Sequence, residues 1–282
     1  MRRWQLALPA LLICIDTADA TPMAPDIIPL ASYQGKQFTV QASVNGHLHT
    51  FLFDTGEGVS MISLSVAADA GCHPWAVVTG FRMLGERIDA PRCDAISFTL
   101  PRRMLKPLET IVYDLDAIAG SGAPKLDGAI GLDAFTGQVI TICLAADQII
   151  AETPESLAGR ITHAIEVPIR IVRDAEGAAL SVDIGVDTPA GLAWMELDTG
   201  NSGPTIFVSP SVAPLLKLDA AAKSPKDAAR QAVVLSIAHK IHWSGEARVF
   251  ENMIMDGNIG TQLLKNHDIT LDLKSGRAWL SP

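Results

Sequence analysis

The sequence predicts an all-β chain of two lobes, and three observations carry that reading. First, the chain is written twice: Gly128-Ala129-Ile130-Gly131 and the residues after it run parallel to Gly257-Asn258-Ile259-Gly260 at a constant offset of 129. Upstream, Phe51-Leu52-Phe53-Asp54-Thr55-Gly56 matches Met195-Glu196-Leu197-Asp198-Thr199-Gly200 at an offset of 144. Second, the 282 residues are 48% hydrophobic with 22 Gly and 17 Pro, enough to bury a full core and suited to strands joined by turns. Third, short apolar runs alternate with turn residues instead of following a helical period.

The elements follow in order. Arg2 and Arg3 precede an apolar run over 4–15 and then Ala18-Asp19-Ala20, the pattern of a secretory signal peptide cleaved after Ala20. The run is too short to span a bilayer, which needs roughly 20 apolar residues, and Ile13 before Cys14 argues against a lipoprotein site. Residues 1–20 therefore read as a leader, 21–155 as the first lobe and 156–282 as the second, with export to the periplasm or medium. Removing the leader leaves the formal charge at −9.

Stretches 37–43 and 47–53 alternate around Asn45-Gly46, a strong short hairpin signal. A short helix is expected over 64–70, closed by Gly71, and another after Ser209-Pro210. The polar stretch 152–160 reads as the linker. The second lobe opens with strands over 165–173 and 179–186 around the turn 174–177.

Export leaves three cysteines. Cys72 and Cys93 lie in turn-rich sequence, whereas Cys143 sits in an apolar strand and reads as a core residue. One disulfide, Cys72–Cys93, is expected, with two free thiols in separate turns as the alternative.

Each half thus carries an apolar strand ending in Asp-Thr-Gly, a long middle, and Gly-x-Ile-Gly. In this the sequence resembles the pepsin and retropepsin aspartic proteases, more narrowly the bacterial exported members with two retropepsin-like repeats in one chain. The resemblance covers most of residues 30–282. It implies a bilobal acid-protease fold of two retropepsin-like β-barrel lobes, with Asp54 and Asp198 as the catalytic pair at the base of a cleft. Thr55 and Thr199 would hydrogen-bond across to the opposite loop, and Gly56 and Gly200 would form tight turns around the carboxylates. Gly131 and Gly260 would lie beneath the loops, with Ile130 and Ile259 as core. A hairpin flap would cover the substrate, with its tip over 79–85, although residues 76–100 hold no tyrosine of the pepsin kind.

Two carboxylates about 3 Å apart cannot both ionise cheaply, so they share a proton and act together as acid and base on a water. No cofactor and no metal is implied. The sequence departs from the family where Glu57 and Asn201 follow Asp-Thr-Gly, positions usually held by Ala or Ser. Glu57 is expected to face solvent, because burying a third carboxylate without a partner is costly.

Other chemistries are weakly represented. No CxxC, CxxH or HExxH spacing occurs, so the pairs His47/His49 and His239/His242 read as surface or satisfied histidines. The stretch from Gly58 to Ile62 lacks the second glycine of a serine-hydrolase elbow. The acidic balance and the lack of a basic tract exclude a nucleic-acid surface. The expected activity is an aspartic endopeptidase on polypeptide, working as one chain without obligatory dimerisation. The alternative is a non-catalytic peptide-binding protein of the same fold, and a structural partner using exposed sheet edges ranks third.

Overall fold

The computed structural model describes residues 24–115, 122–219 and 227–281; the leader reading of residues 1–20 lies outside them. Three sheets make up the fold. The first half forms a ten-stranded sheet running from the hairpin Trp75–Phe81/Arg87–Asp94, through Glu109–Val112, Met61–Ile62 and Gly128–Ile130, to His47–Phe53 and Gln37–Val44. The second half forms a seven-stranded sheet in which Gly191–Leu197, Gly257–Ile259 and Thr205–Val208 are central. Both sheets are open and not the closed barrels expected.

The repeat is visible in the strand pairing. Gly128–Ile130 runs parallel to His47–Phe53, with Ala129 opposite Leu52 and Ile130 opposite Phe53. Gly257–Ile259 runs parallel to Gly191–Leu197, with Asn258 opposite Glu196 and Ile259 opposite Leu197. The same local sequence thus delivers the same crossing in each half.

A third, six-stranded sheet joins the halves, in the order Asp26–Pro29, Gln148–Ala151, Val139–Cys143, Asp268–Asp272, Arg277–Ser281, Ile165–Val167. At its centre Thr141 pairs with Thr270, its own repeat equivalent, and their hydroxyls meet at 2.9 Å. A pseudo-twofold axis therefore passes between these residues.

Local chemistry explains the elements. Asn45 and Gly46 both take positive φ, +49° and +85°, as a two-residue hairpin turn with the strands' twist requires. Helix Leu64–Asp69 starts at Ser63, whose hydroxyl accepts from the Val66 N–H, and chain reversal follows at Gly71 with φ +70°. The segment read as a linker is ordered: Thr153 and Ser156 form a capping box for helix Pro154–Ile161. Pro168 interrupts the first strand of the second half, sending Ile165–Val167 to the joining sheet and Ile169–Val172 to the lobe sheet. After Ser209-Pro210 only a 3₁₀ turn forms, Ala213–Leu216.

Phe51, Phe53, Ile130, Leu132, Ile140, Leu197, Ile259 and Leu271 are all fully buried in one core that extends across both halves. Truncating any of the large aliphatic members to alanine costs about 2–5 kcal/mol. Cys143 is buried here as a free thiol, and burial pushes it up to about 12, so it is chemically quiet. Cys72 and Cys93 form a disulfide with Cα atoms 6.0 Å apart, tying the end of helix Leu64–Asp69 to strand Arg87–Asp94.

Candidate active site

Asp54 follows strand His47–Phe53 and Asp198 follows Gly191–Leu197. Their N–H groups donate to the carbonyls of Ile130 (3.1 Å) and Ile259 (2.9 Å), so each loop hangs from its own Gly-x-Ile-Gly strand. The chain then turns sharply. Gly56 N–H donates to Asp54 Oδ1 (3.0 Å), and the N–H groups of Gly200 and Asn201 donate to Asp198 Oδ1 (2.7 and 3.1 Å).

The glycines set how close the loops come. A Cβ on Gly56 would sit 2.7 Å from the Asp198 carboxyl carbon, and one on Gly200 would strike the Asp54 carboxyl. With no side chain between them, the two carboxyls lie against each other as a coupled pair. Burial and the Asp198 charge hold the Asp54 carboxyl well above the usual carboxylate range. Asp54 as a residue is half-buried.

The threonines close a reciprocal set of bonds. Thr55 N–H donates to Thr199 Oγ1 (3.0 Å) and Thr55 Oγ1 to the Leu197 carbonyl (2.6 Å). Thr199 N–H donates to Thr55 Oγ1 (3.0 Å) and Thr199 Oγ1 to the Phe53 carbonyl (2.8 Å). Both threonines are fully buried, so these bonds meet no competition from water.

Beneath the loops the halves use different residues for the same task. Ser60 donates its N–H and hydroxyl to Asp133 (2.9 and 2.6 Å) and accepts from Gly131 N–H (3.0 Å). Burial pushes the Asp133 carboxyl up to about 6 despite those donors. At the equivalent position Gln262 accepts from Gly260 N–H (3.1 Å) and donates to the carbonyls of Gly203 and Thr205. A Cβ on Gly260 would collide with the Asn201 carbonyl oxygen, and one on Gly131 would lie 2.9 Å from Asp133 Oδ1. Ile130 and Ile259 are core.

Glu57 does not face solvent as expected. The residue is half-buried, the charges of Asp54, Asp198 and Asp133 act on its carboxyl with Arg82 the nearby cation, and burial holds it well above the usual range. Within the turn at 54–59 the Val59 N–H donates to the Glu57 carbonyl (2.9 Å). The cost of an inward carboxylate is met by retention of its proton.

Two further residues of the site, Asn258 and Glu196, were not legible as such. Asn258 Nδ2 donates to Asp198 Oδ2 (2.7 Å) and to Glu196 Oε2 (3.2 Å), and Asn258 Oδ1 accepts from Asn201 Nδ2 (2.8 Å). Burial, then the charges of Asp198, Asp183 and Asp54, raise Glu196 well above its ordinary value. The signal was present in the repeat: Glu196 and Asn258 stand where the first half has Leu52 and Ala129.

The hairpin Trp75–Phe81/Arg87–Asp94 has its tip over 82–86, where Arg82 N–H donates to the Glu86 carbonyl (2.8 Å); Thr79 and Gly80, expected in the tip, lie within the strand. The tip reaches the second half: Ile254 N–H donates to the Met83 carbonyl (3.0 Å), and Leu84 packs against Ala228, Phe250 and Met253. The disulfide lies at the base of this hairpin, where Arg92 stacks over Trp75 at 4.1 Å.

Residues 40–134 match the family model described as aspartyl protease. Among solved structures the chain is similar to basic 7S globulin from soybean (TM-score 0.58, 12% identity, covering 92% of this chain and 95% of that one). It is also similar to conglutin gamma, a basic 7S globulin from lupine seeds (TM-score 0.55, 11% identity, 90% and 94%). A third likeness is to edgp (TM-score 0.55, 9% identity, 91% and 94%). At these identities the three structures establish the fold alone. No curated protein sequence matches the chain. Over residues 40–134 the chain is similar to the aspartyl protease family, and the likeness to the three structures extends the bilobal fold to both halves.

Proposed function

We propose that the chain is an aspartic endopeptidase that hydrolyses peptide bonds with a water activated between Asp54 and Asp198. One observation carries the reading: two repeat-equivalent loops bring two carboxyls against each other, with no Cβ between them. Such a pair holds one proton between two carboxyls. The ionised member takes a proton from water as the water oxygen attacks the scissile carbonyl carbon. The protonated member gives its proton to the carbonyl oxygen. Collapse of the resulting diol returns a proton to the leaving nitrogen and restores the pair. The flap hairpin, whose tip reaches the second half, would limit access of bulk water and help hold an extended polypeptide.

The substrate is polypeptide and the active unit one chain, since both halves of the dyad come from it. The Cys72–Cys93 disulfide supports an exported, oxidising location, as the leader reading also does. The test is digestion of a peptide library read by mass spectrometry. Asp54→Asn and Asp198→Asn should each cost at least about 10²–10⁴ in rate, because acid and base functions fail together, while circular dichroism stays unchanged. Wild-type turnover in either variant, in a preparation free of host proteases, sinks the enzyme reading. A second reading, a non-catalytic peptide-binding protein, is favoured by the inward Glu57, which adds negative charge beside the pair. Saturable peptide binding without cleavage over a range of pH would support it.

A further inference from the structure

The two halves of the site differ in what stands behind each aspartate. In the first half Leu52 and Ala129 belong to an apolar cluster with Tyr33, Met61, Leu115 and Leu126. In the second half the same positions are Glu196 and Asn258, and Asn258 is 1% exposed. Three of the four hydrogen bonds its amide can make are formed: two N–H bonds run to carboxyl oxygens of Asp198 and Glu196, and its oxygen accepts from Asn201. Reversing the amide would turn its oxygen towards both carboxyls, so the neighbours select the donating orientation.

The consequence for the pair is unequal. Asp198 receives two backbone N–H groups on Oδ1 and a side-chain amide on Oδ2. Asp54 receives backbone donors from Gly56 and Gly200 and, among the described residues, no side-chain N–H or hydroxyl donor; its one side-chain partner is the Asp198 carboxyl with which it shares a proton. Donors aimed at a carboxylate favour its charged form. The surrounding charges do not reverse the bias. From the first half Glu57 and Asp133 face the pair, and from the flap Arg82 faces Glu57. From the second half Glu196 and Asp183 approach, with Asp256 and Arg170 acting on Asp183. Burial raises Glu57 and Glu196 well above the ordinary carboxylate range, so at low pH they add little charge against Asp198.

We propose that Asn258 is a positioning residue that holds Asp198 as the ionised member of the pair, leaving the shared proton on Asp54. Asp198 is then the base towards water, and Asp54 the acid towards the carbonyl oxygen. The roles rest on the endopeptidase reading; the order of ionisation does not.

The test is a carboxyl ¹³C titration of aspartate-labelled protein without substrate, with Asp54→Asn and Asp198→Asn used for assignment. Asp198 should lose its proton at lower pH than Asp54. Asn258→Leu, close in shape but without a donor, should raise the Asp198 step by about one unit, the scale of one hydrogen bond to a charge. In cleavage assays the acid limb of the pH–rate profile should move up with it. That is a tenfold loss of kcat/KM one unit below the limb, with little change on the plateau. Asp54 ionising first in the wild type, a measurement that needs no variant, overturns the proposal, as does an unmoved Asp198 in Asn258→Leu. If the order holds but no peptide is cleaved, the positioning role stands and the endopeptidase reading falls.

Discussion

Glu57 is the residue whose charge bears most directly on the pair from outside it. Its carboxyl faces Asp54 and Asp198, and burial holds its proton well above the ordinary range. The sign of its influence follows. On the acid side Glu57 is neutral and leaves the pair alone. As pH rises it ionises, and its charge then opposes the second ionisation of the pair. Glu57→Gln should therefore leave the acid limb of the pH–rate profile in place and lower the basic limb by on the order of one unit, the scale of a like charge in a partly solvated cleft. An unchanged basic limb would show that the carboxyl points away from the pair in solution.

At the scale of the element, the flap hairpin is held at both ends. Its tip meets the second half through Met83 and Leu84, and its base is tied to helix Leu64–Asp69 by Cys72–Cys93. A bridge over 21 residues stabilises by about 3 kcal/mol in the chain-entropy model. The double variant Cys72→Ser/Cys93→Ser should lose about that much in denaturant unfolding, with Cys143 untouched. Intact-mass measurement on exported, denatured but non-reduced protein should find one alkylated cysteine; three would exclude the bond. The strand alternation around Asn45-Gly46 and the helix end at Gly71 were legible in sequence because a two-residue turn and a glycine helix stop depend on nearest neighbours. The helix Pro154–Ile161 was not, because its polar surface hid a capping box that only the backbone bonds reveal.

For the whole molecule, the buried acidic groups set a direction for stability with pH. Asp54, Glu57, Asp133 and Glu196 all have their folded-state values raised, with burial the largest cause. A raised carboxyl binds its proton more tightly in the folded state. Its contribution is therefore fully present below the unfolded value and is lost as pH rises through the folded value. For Asp133 the window runs from 3.8 to about 6, a loss of about 3 kcal/mol if the whole shift is realised. Asp89, Glu166 and Asp272 are lowered and act in the opposite sense, but they are mostly solvent-screened pairs of small effect. The melting temperature should thus fall between pH 4 and pH 7.5, and Asp133→Asn should flatten part of that fall. A melting temperature that rises across this range would contradict the burial of these groups.

The doubled Asp-Thr-Gly and Gly-x-Ile-Gly segments determined by themselves that the chain has two equivalent halves and which two carboxylates correspond. A repeat is a one-dimensional property, and the turns within it rest on local backbone preference. The tertiary structure alone decided how the halves are joined, through the Thr141–Thr270 pairing of a shared sheet, and where Glu57 points. It also decided that Asn258 and Glu196 complete one side of the site. These depend on which atoms crowd a carboxyl from distant strands, and burial and hydrogen bonding there are set by packing across the chain, not by the residues next to it in sequence.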